Sequence, residues 1–468
     1  MIRVSLLSVA AVLAFAAGTA PSAFAKDGVY TSTTLGRNGD VTVQTTITNG
    51  RIADVKVLDW SETHPIADLP RVKVPADIVK NQSLGVDVVS GATLTSFAII
   101  SGVRDALKQA GLSLADFSKK IAPQPKLTDT VEESADIVII GAGGAGLSAA
   151  VTAAKAGKSV IVMEKTHYAG GNTSVAGGCY NAADPALEAK QEMSPQRRAS
   201  VDALLAEPVR SKLHGELIQK VKAQLAQYDA KGGKYLFDSV ELHALQSWKA
   251  GDYAGNLDLV YELAKGAPEM QKELAEMGFK WNSGTEQVVG ALWPRSNRAS
   301  NYKSGVGYID TFLNEIKTKH LPVTFIMNTA ASDILMKDGR AAGVIGTAEN
   351  GRTFKVLAKD GVILTTGGFG ANIDMRVKYD TIWDKKIGKG VMTTNVPSIT
   401  GDGIKMAQKV GANLIDMGYI QLLPTTDPYT GATNHAVSLT TGIYLNTDGK
   451  RFVNELGRRD EPRPRSAC

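Results

Sequence analysis

Between residues 28 and 59 apolar and polar positions alternate, most clearly in VTVQTTITNGRIADVKVLDW, where Asn49-Gly50 supplies a hairpin turn. A period of two marks half-buried strands, so the chain is predicted to open with a small β-rich unit. The period changes in SFAIISGVRDALKQAG, whose apolar spacing suits an amphipathic helix. Between strands and helix lies DVVSGATLTS, Asp87 to Ser96, a cluster of Ser, Thr and Gly that reads first as a loop, because these residues hydrogen-bond their own backbone in turns.

The polar, Pro-containing stretch SKKIAPQPKLTDTVEES, residues 118–134, is predicted to be a linker. After it the pattern becomes ADIVIIGAGGAGLSAAVTAAKAGKSVIVMEK. Ile137 to Ile140 form a buried-strand run, Leu147 to Ala156 a small-residue helix, and Ser159 to Met163 a second strand ending at Glu164 and Lys165. Gly141, Gly143 and Gly146, with Gly144 between them, fall where a strand hands over to a helix. Glycines there let a pyrophosphate approach the backbone at a helix N-terminus, and an acidic side chain about 20 residues on accepts from ribose hydroxyls. The spacing predicts a dinucleotide-binding βαβ unit. RSKLHGELIQKVKAQLAQYDA and LVYELAKGAPEMQKELAEMG predict a helical insertion near residues 185–280.

At the N-terminus, MIRVSLLSVAAVLAFAAGTAPSAFA has a basic start, an apolar core and a small-x-small ending at Ala23-Phe24-Ala25, the pattern of a secretory signal peptide over residues 1–25. No later window approaches a spanning length of about eighteen apolar residues, so no membrane span is expected in the mature chain, and the periplasm or the exterior is the expected location. At 468 residues, 43% hydrophobic and 21% charged, the chain is long enough for two or three domains. A formal charge of +5 with scattered basic residues leaves no nucleic-acid footprint. Two cysteines, Cys179 and Cys468, exclude a disulfide framework and attached haem, and six dispersed histidines give a metal site no support. Cys179 is expected to be a small core residue. Electron transfer in such a chain calls for an organic cofactor.

KTHYAGGNTSVAGGCYNAAD, with Gly171, Asn172, Thr173, Gly177 and Gly178, and GVILTTGGFGAN, with Gly368, resemble the flavin-side loops of the fumarate reductase and succinate dehydrogenase flavoprotein superfamily. TGDGIKMAQKVGANLIDMGYIQLLPT, with Asp402, and YLNTDGKRFVNELGRRD resemble the soluble periplasmic fumarate reductases and the urocanate reductase-like enoate reductases. The resemblance implies non-covalent FAD rather than NAD alone. Asp87-x-x-Ser90-Gly91-Ala92-Thr93 is similar to the flavinylation sequence of FMN-binding domains, in which a flavin transferase joins FMN to a threonine through a phosphodiester. It implies covalent FMN at Thr93, with Thr95 the second candidate and Ser90 part of the site.

The fold so implied is an α+β FMN-binding domain (26–117), then an α/β Rossmann-like FAD-binding domain with its helical insertion (135–417), then an incomplete capping domain (418–468). The activity implied is reduction of an activated C=C bond in a small unsaturated carboxylate. Electrons would come from a cytochrome- or quinol-linked donor and pass from FMN through FAD to the substrate. Arg459 corresponds to the family's proton donor, although an ordinary guanidinium is too weak an acid for that role without a perturbed site.

The chain departs from the family in two places. Fumarate reductases carry Gln-x-His-Pro-Thr where this chain has Gln421-Leu422-Leu423-Pro424-Thr425, which favours urocanate or another acrylate over fumarate. His435 and Ser438 replace a glutamate and an arginine of the proton path. His435 is either a proton relay or polar substrate contact, or merely solvated. EPRPRSAC after Asp460 departs from the family's continuing helix, so the chain is expected to be C-terminally truncated, to hold FAD poorly and to be inactive. Two other readings stay open: a flavin electron-transfer protein, and an FAD enzyme of the 3-ketosteroid dehydrogenase type.

Overall fold

The computed structural model describes residues 26–123, 125–288, 291–383, 387–423, 431, 442–446 and 448–452. Residues 1–25, read as a signal peptide, and Cys468, His435 and Arg459 lie outside them. The chain divides into two compact units, residues 1–62 with 67–123, and residues 63–66 with 124–468.

In the first unit β1 (Gly28–Leu35), β2 (Asp40–Thr48) and β3 (Arg51–Trp60) form an antiparallel meander. The turn between β2 and β3 puts Asn49 and Gly50 at φ 52° and 70°, the left-handed pair that a tight hairpin requires. Alternation along β2 buries Val41, Val43, Thr45 and Ile47 at 0–1% exposure. α2 (Thr93–Gln109), with Ile99, Val103 and Leu107 buried, packs on β1 and β2, and α1 (Asp68–Asn81), with Val74 and Ile78 buried, packs on β3 and α2. A Cβ on Gly102 would lie 2.9 Å from the Val43 side chain, so glycine sets how closely α2 approaches the sheet.

The second unit is built on a six-stranded sheet. In chain order its elements are β4 (Thr130–Ile140), α3 (Gly144–Lys155), β5 (Val160–Met163), α4 (Gly171–Val175) and β6 (Tyr180–Asn181). The helical layer follows: α5 (Pro185–Glu188), α6 (Pro195–Leu205), α7 (Lys212–Ala230), α8 (Val240–Ala250) and α9 (Leu257–Glu276). Then come β7 (Ser296–Asn297), α10 (Val306–Thr318), β8 (Val323–Ile326), β9 (Thr329–Lys337), β10 (Arg340–Ala348), β11 (Thr353–Leu364), α11 (Ile373–Tyr379) and α12 (Asp402–Lys409).

The sheet order is β8-β5-β4-β11-β10-β9. The first four strands are parallel, and β11-β10-β9 extend them as an antiparallel meander. One face packs Leu147, Ala150 and Val151 of α3 and Ile309 and Phe312 of α10 over Ile139 and Val162. The other face gathers Val138, Ile140, Met163, Val344 and Val356 with Met406 of α12. A separate core built on α6 to α9 centres on Leu217, Val221, Leu242, Leu245 and Trp293.

Two expectations change. The stretch read as a linker gives up residues 130–134 to β4, because they pair in parallel with β11 from Thr130↔Thr353 to Ser134↔Leu357. Their polar pattern belongs to an exposed strand end whose partner lies over 200 residues away. Cys179 is exposed rather than in the core, because it follows Gly177-Gly178 at the surface before β6 begins. No helix among the described residues is long and apolar enough to cross a membrane.

Candidate functional site

A cleft opens where β4 hands over to α3. Its walls include Gly141, Gly143, Gly144, Glu164, Lys165, Gly171, Asn172, Thr173 and Asp402. Gly141 adopts φ 103°, and a Cβ there would lie 2.6 Å from the Thr365 carbonyl oxygen. A Cβ on Gly146 would collide with the Gly141 carbonyl, so Gly146 lets the first turn of α3 sit under the loop. The result is a backbone-lined cradle at a helix N-terminus. The first N–H groups of the helix have no partner within it, and its dipole favours an anion there. The cradle fits the pyrophosphate of a dinucleotide.

Glu164 directly follows β5 and faces this loop. Its Oε2 accepts from the Ala142 N–H at 2.8 Å, and its Oε1 accepts from the Thr166 N–H and Oγ1, each at 2.9 Å. The carboxylate is therefore held against the glycine loop, where an acidic side chain could accept from the ribose hydroxyls of a dinucleotide. Burial, reinforced by the Glu164 charge, pushes the Tyr168 phenol up to about 12, so it stays neutral beside the site.

Lys165 reaches across the cleft mouth. Its Nζ donates to Thr400 Oγ1 at 2.9 Å and to Asp402 Oδ2 at 2.6 Å, while Thr400 Oγ1 donates to Asp402. Burial is the largest influence on Asp402 and pushes its carboxyl up, but the Lys165 and Thr400 hydrogen bonds and the lysine charge together hold it below the ordinary value. Asn172 works similarly, donating to Asn395 Oδ1 at 2.6 Å and accepting from the Val396 N–H at 2.9 Å. The loops after β5 and before α12 are thus tied by side chains more than 220 residues apart.

Gly177, Gly178 and Gly368 do not line the cleft. The Arg298 guanidinium donates to the Gly177 carbonyl, and the Tyr308 hydroxyl donates to the Gly178 carbonyl at 2.8 Å. Gly368 accepts from the Gly401 N–H at 3.1 Å. Sequence reasoning missed Thr329, Ala331, Thr365, Ser398 and Met406 as cleft residues. Only the sheet pairing brings Thr329 and Ala331 there.

In the first unit the segment Asp87–Ser96 becomes a turn followed by the start of α2, with Gly91 at φ 82°. Ser96 Oγ donates to the Ala92 carbonyl at 3.0 Å and accepts from the Val89 N–H at 3.1 Å, which pins the turn. Thr95 is 3% exposed, and its Oγ1 donates to Glu62 Oε2 at 2.6 Å. Ser90 and Thr93 are exposed. Thr93 is the first residue of α2, whose first turn carries no acidic residue and no side-chain cap. A phosphodiester there would meet the positive end of the helix.

Residues 136–211 and 223–463 match the family described as the FAD binding domain, and residues 36–108 match the FMN-binding domain. The chain belongs to the FAD-binding family. It carries an FMN-binding domain ahead of that fold. The NADH:acrylate oxidoreductase of Vibrio harveyi is 37% identical over 92% of this chain and 44% of its own length. The urocanate reductase of Eggerthella lenta is 32% identical over 92% of this chain and 64% of its own length. A solved flavocytochrome c3 fumarate reductase in the open conformation superposes with a TM-score of 0.51 at 25% identity, covering 70% of this chain and 50% of that one. The chain spans less than two thirds of the length of these curated relatives. The FAD-binding fold accounts for the glycine cradle and for Glu164 at the end of the second strand.

Proposed function

We propose that the protein is a two-flavin reductase that saturates the activated double bond of an α,β-unsaturated monocarboxylate. Urocanate or another acrylate is favoured over fumarate, with electrons passing from FMN through FAD. The observation that carries this reading is the pairing, in one chain, of a dinucleotide cleft with an exposed threonine at a helix N-terminus inside an FMN-binding domain. The names of the Vibrio and Eggerthella relatives, an acrylate and a urocanate enzyme, support the substrate class. Leu423 in place of a carboxylate-binding histidine supports a substrate with one carboxylate and a less polar tail.

Gly141, Gly143, Gly144, Glu164, Lys165, Asn172, Thr173 and Asp402 would hold FAD, which supplies a hydride for the carbon β to the carboxylate. Arg459 then gives a proton to the α carbon, so that hydride and proton together convert the double bond to a single bond, and neighbouring groups reprotonate the guanidine. His435 serves as a polar substrate contact or proton relay. Thr93 carries FMN through a phosphodiester made by a flavin transferase. Leu94 and Phe97, 52% and 53% exposed on the same first turns of α2, offer the ring an apolar surface. The residues 1–25 send the chain to the periplasm, where a cytochrome- or quinol-linked donor supplies the electrons.

The test is flavin content together with turnover. On denaturation, a chimera extended with the C-terminal remainder of the Eggerthella relative should retain FMN on the peptide containing Thr93 and release FAD. In the same chimera, Arg459→Ala should lower turnover roughly a hundredfold, the scale for losing a general acid. A loss under about threefold would return Arg459 to a structural role.

A further inference from the structure

The helical layer of the second unit encloses a set of ionisable side chains that the flavin cleft does not use. Glu188, at the end of α5, is fully buried; Asp238 and Arg295, which act on it, and His243 and Gln246, which adjoin that pair, are 4–6% exposed. Arg295 engages both Asp238 oxygens, Nε to Oδ2 and Nη2 to Oδ1, each at 2.8 Å, and donates to Gln246 Oε1 at 2.6 Å. The Ser239 N–H also donates to Asp238 Oδ1 at 2.8 Å. Both Asp238 oxygens are therefore hydrogen-bonded with one accepting site to spare, and Arg295 has spent its charge on this carboxylate.

Glu188 is differently placed. Its Oε1 accepts one long bond, 3.3 Å, from the Asp184 N–H, and its Oε2 has no hydrogen-bond partner. The other groups facing it bring no further cation. Asp184, the cap of α5, is acidic and is occupied by the Leu187 N–H and by Gln271 of α9. His243 of α8 has its Nδ1 buried without a partner, and burial, then the nearby Arg295 charge, pushes it down to about 4, so it is neutral. A second buried carboxylate beside a hydrogen-bonded one, with an oxygen lacking any donor, is an arrangement that proteins avoid by neutralising the group.

We propose that Glu188 is held as the neutral acid against the Asp238 carboxylate, and that loss of its proton loosens α5 and β6–β7 from the core of α6 to α9, making this part of the fold pH-responsive. The proton supplies the hydroxyl donor that Oε2 otherwise lacks, and the pair then carries one negative charge opposite one guanidinium. Burial first, and Asp238 second, push the Glu188 carboxyl well above the ordinary glutamate value, in the direction the geometry requires. A carboxyl whose folded value is raised contributes its full stability below its unfolded value of 4.5, and that stability is lost as pH rises toward the folded value.

Two measurements on the full chain test the proposal. Infrared spectra with glutamate-selective isotope labelling should show a buried protonated carboxyl in the wild-type protein at neutral pH, and Glu188→Gln should remove that band. Equilibrium unfolding from about pH 5 to pH 8 should show the wild-type unfolding constant rising relative to that of Glu188→Gln by roughly tenfold per pH unit, because glutamine keeps the donor and cannot ionise. Absence of a protonated glutamate band in the wild-type protein, or equal pH profiles for the two proteins, would overturn it. If Glu188→Gln does not fold, titration of the band in the wild-type protein decides alone.

Discussion

Thr93 and Thr95 stand two residues apart at the start of α2, yet Thr95 is 3% exposed with its hydroxyl donating to Glu62 at 2.6 Å, while Thr93 is exposed. Successive helical positions turn by about 100°, so one hydroxyl serves the fold and the other faces solvent. Co-expressed with a flavin transferase, the protein should gain one FMN mass, and Thr93→Val should abolish it. Thr95→Val should keep the label while lowering stability, by about 1 kcal/mol, for the lost hydrogen bond. Mass spectrometry of the peptide spanning both residues decides between them, and a label lost only with Thr95→Val would reverse the assignment.

The glycines of the second unit differ in what a methyl group would meet. Gly146→Ala drives its Cβ into the Gly141 carbonyl, whereas Gly368→Ala meets nothing within 4 Å. Gly146→Ala should cost about 1–3 kcal/mol from overpacking and leave the protein without FAD. Gly368→Ala should retain FAD near the wild-type level. Flavin absorbance of these variants, made in the chimera extended with the C-terminal remainder of the Eggerthella relative, reads this directly, and equal flavin content in both would remove the cradle from the account.

Glu164 holds the glycine loop through the Ala142 N–H and turns back through Thr166. Glu164→Ala removes these charge-assisted bonds together with the acceptor for ribose hydroxyls. FAD binding should weaken by about 1.5–3 kcal/mol, roughly ten- to hundredfold in Kd, measured by fluorescence titration of the apoprotein of the C-terminally extended chimera.

Lys165 and Asp402 give a pH signature. The lowered Asp402 carboxyl contributes stability above the ordinary aspartate value, and that contribution is lost as pH falls through the folded value. Lys165→Met removes the charge and the hydrogen bond that oppose burial, so the Asp402 carboxyl rises. Acid-induced loss of FAD should then begin at a higher pH than in the wild-type protein. An unchanged acid limb, followed by flavin release, would mean that the pair does not close the cleft.

The parts of the fold written in contiguous residues were legible in the sequence. The β4–α3–β5 unit declares itself through its strand, glycine and helix order, and the Asn49-Gly50 hairpin through its turn residues. What was not legible depends on distant pairing. Residues 130–134 look like a polar linker until β11 pairs with them. Thr329 and Ala331 reach the cleft because β9 follows β8 to the far side of the sheet. The Lys165–Asp402 pair spans 237 residues, so nothing near either residue announces the other. Cys179 was misplaced because composition alone suggests that a lone cysteine is buried, whereas its neighbours Gly177 and Gly178 belong to a surface loop.

The central claim is that reduced flavin in this protein gives its electrons to a monocarboxylic enoate. Its most direct measurement is anaerobic stopped-flow absorbance of the dye-reduced chimera, extended with the Eggerthella relative's C-terminal remainder, mixed in turn with urocanate, acrylate and fumarate. The account expects flavin reoxidation with urocanate or acrylate, faster than with fumarate and sharply slowed by Arg459→Ala. Reoxidation by none of the three, or by fumarate in clear preference, would contradict it.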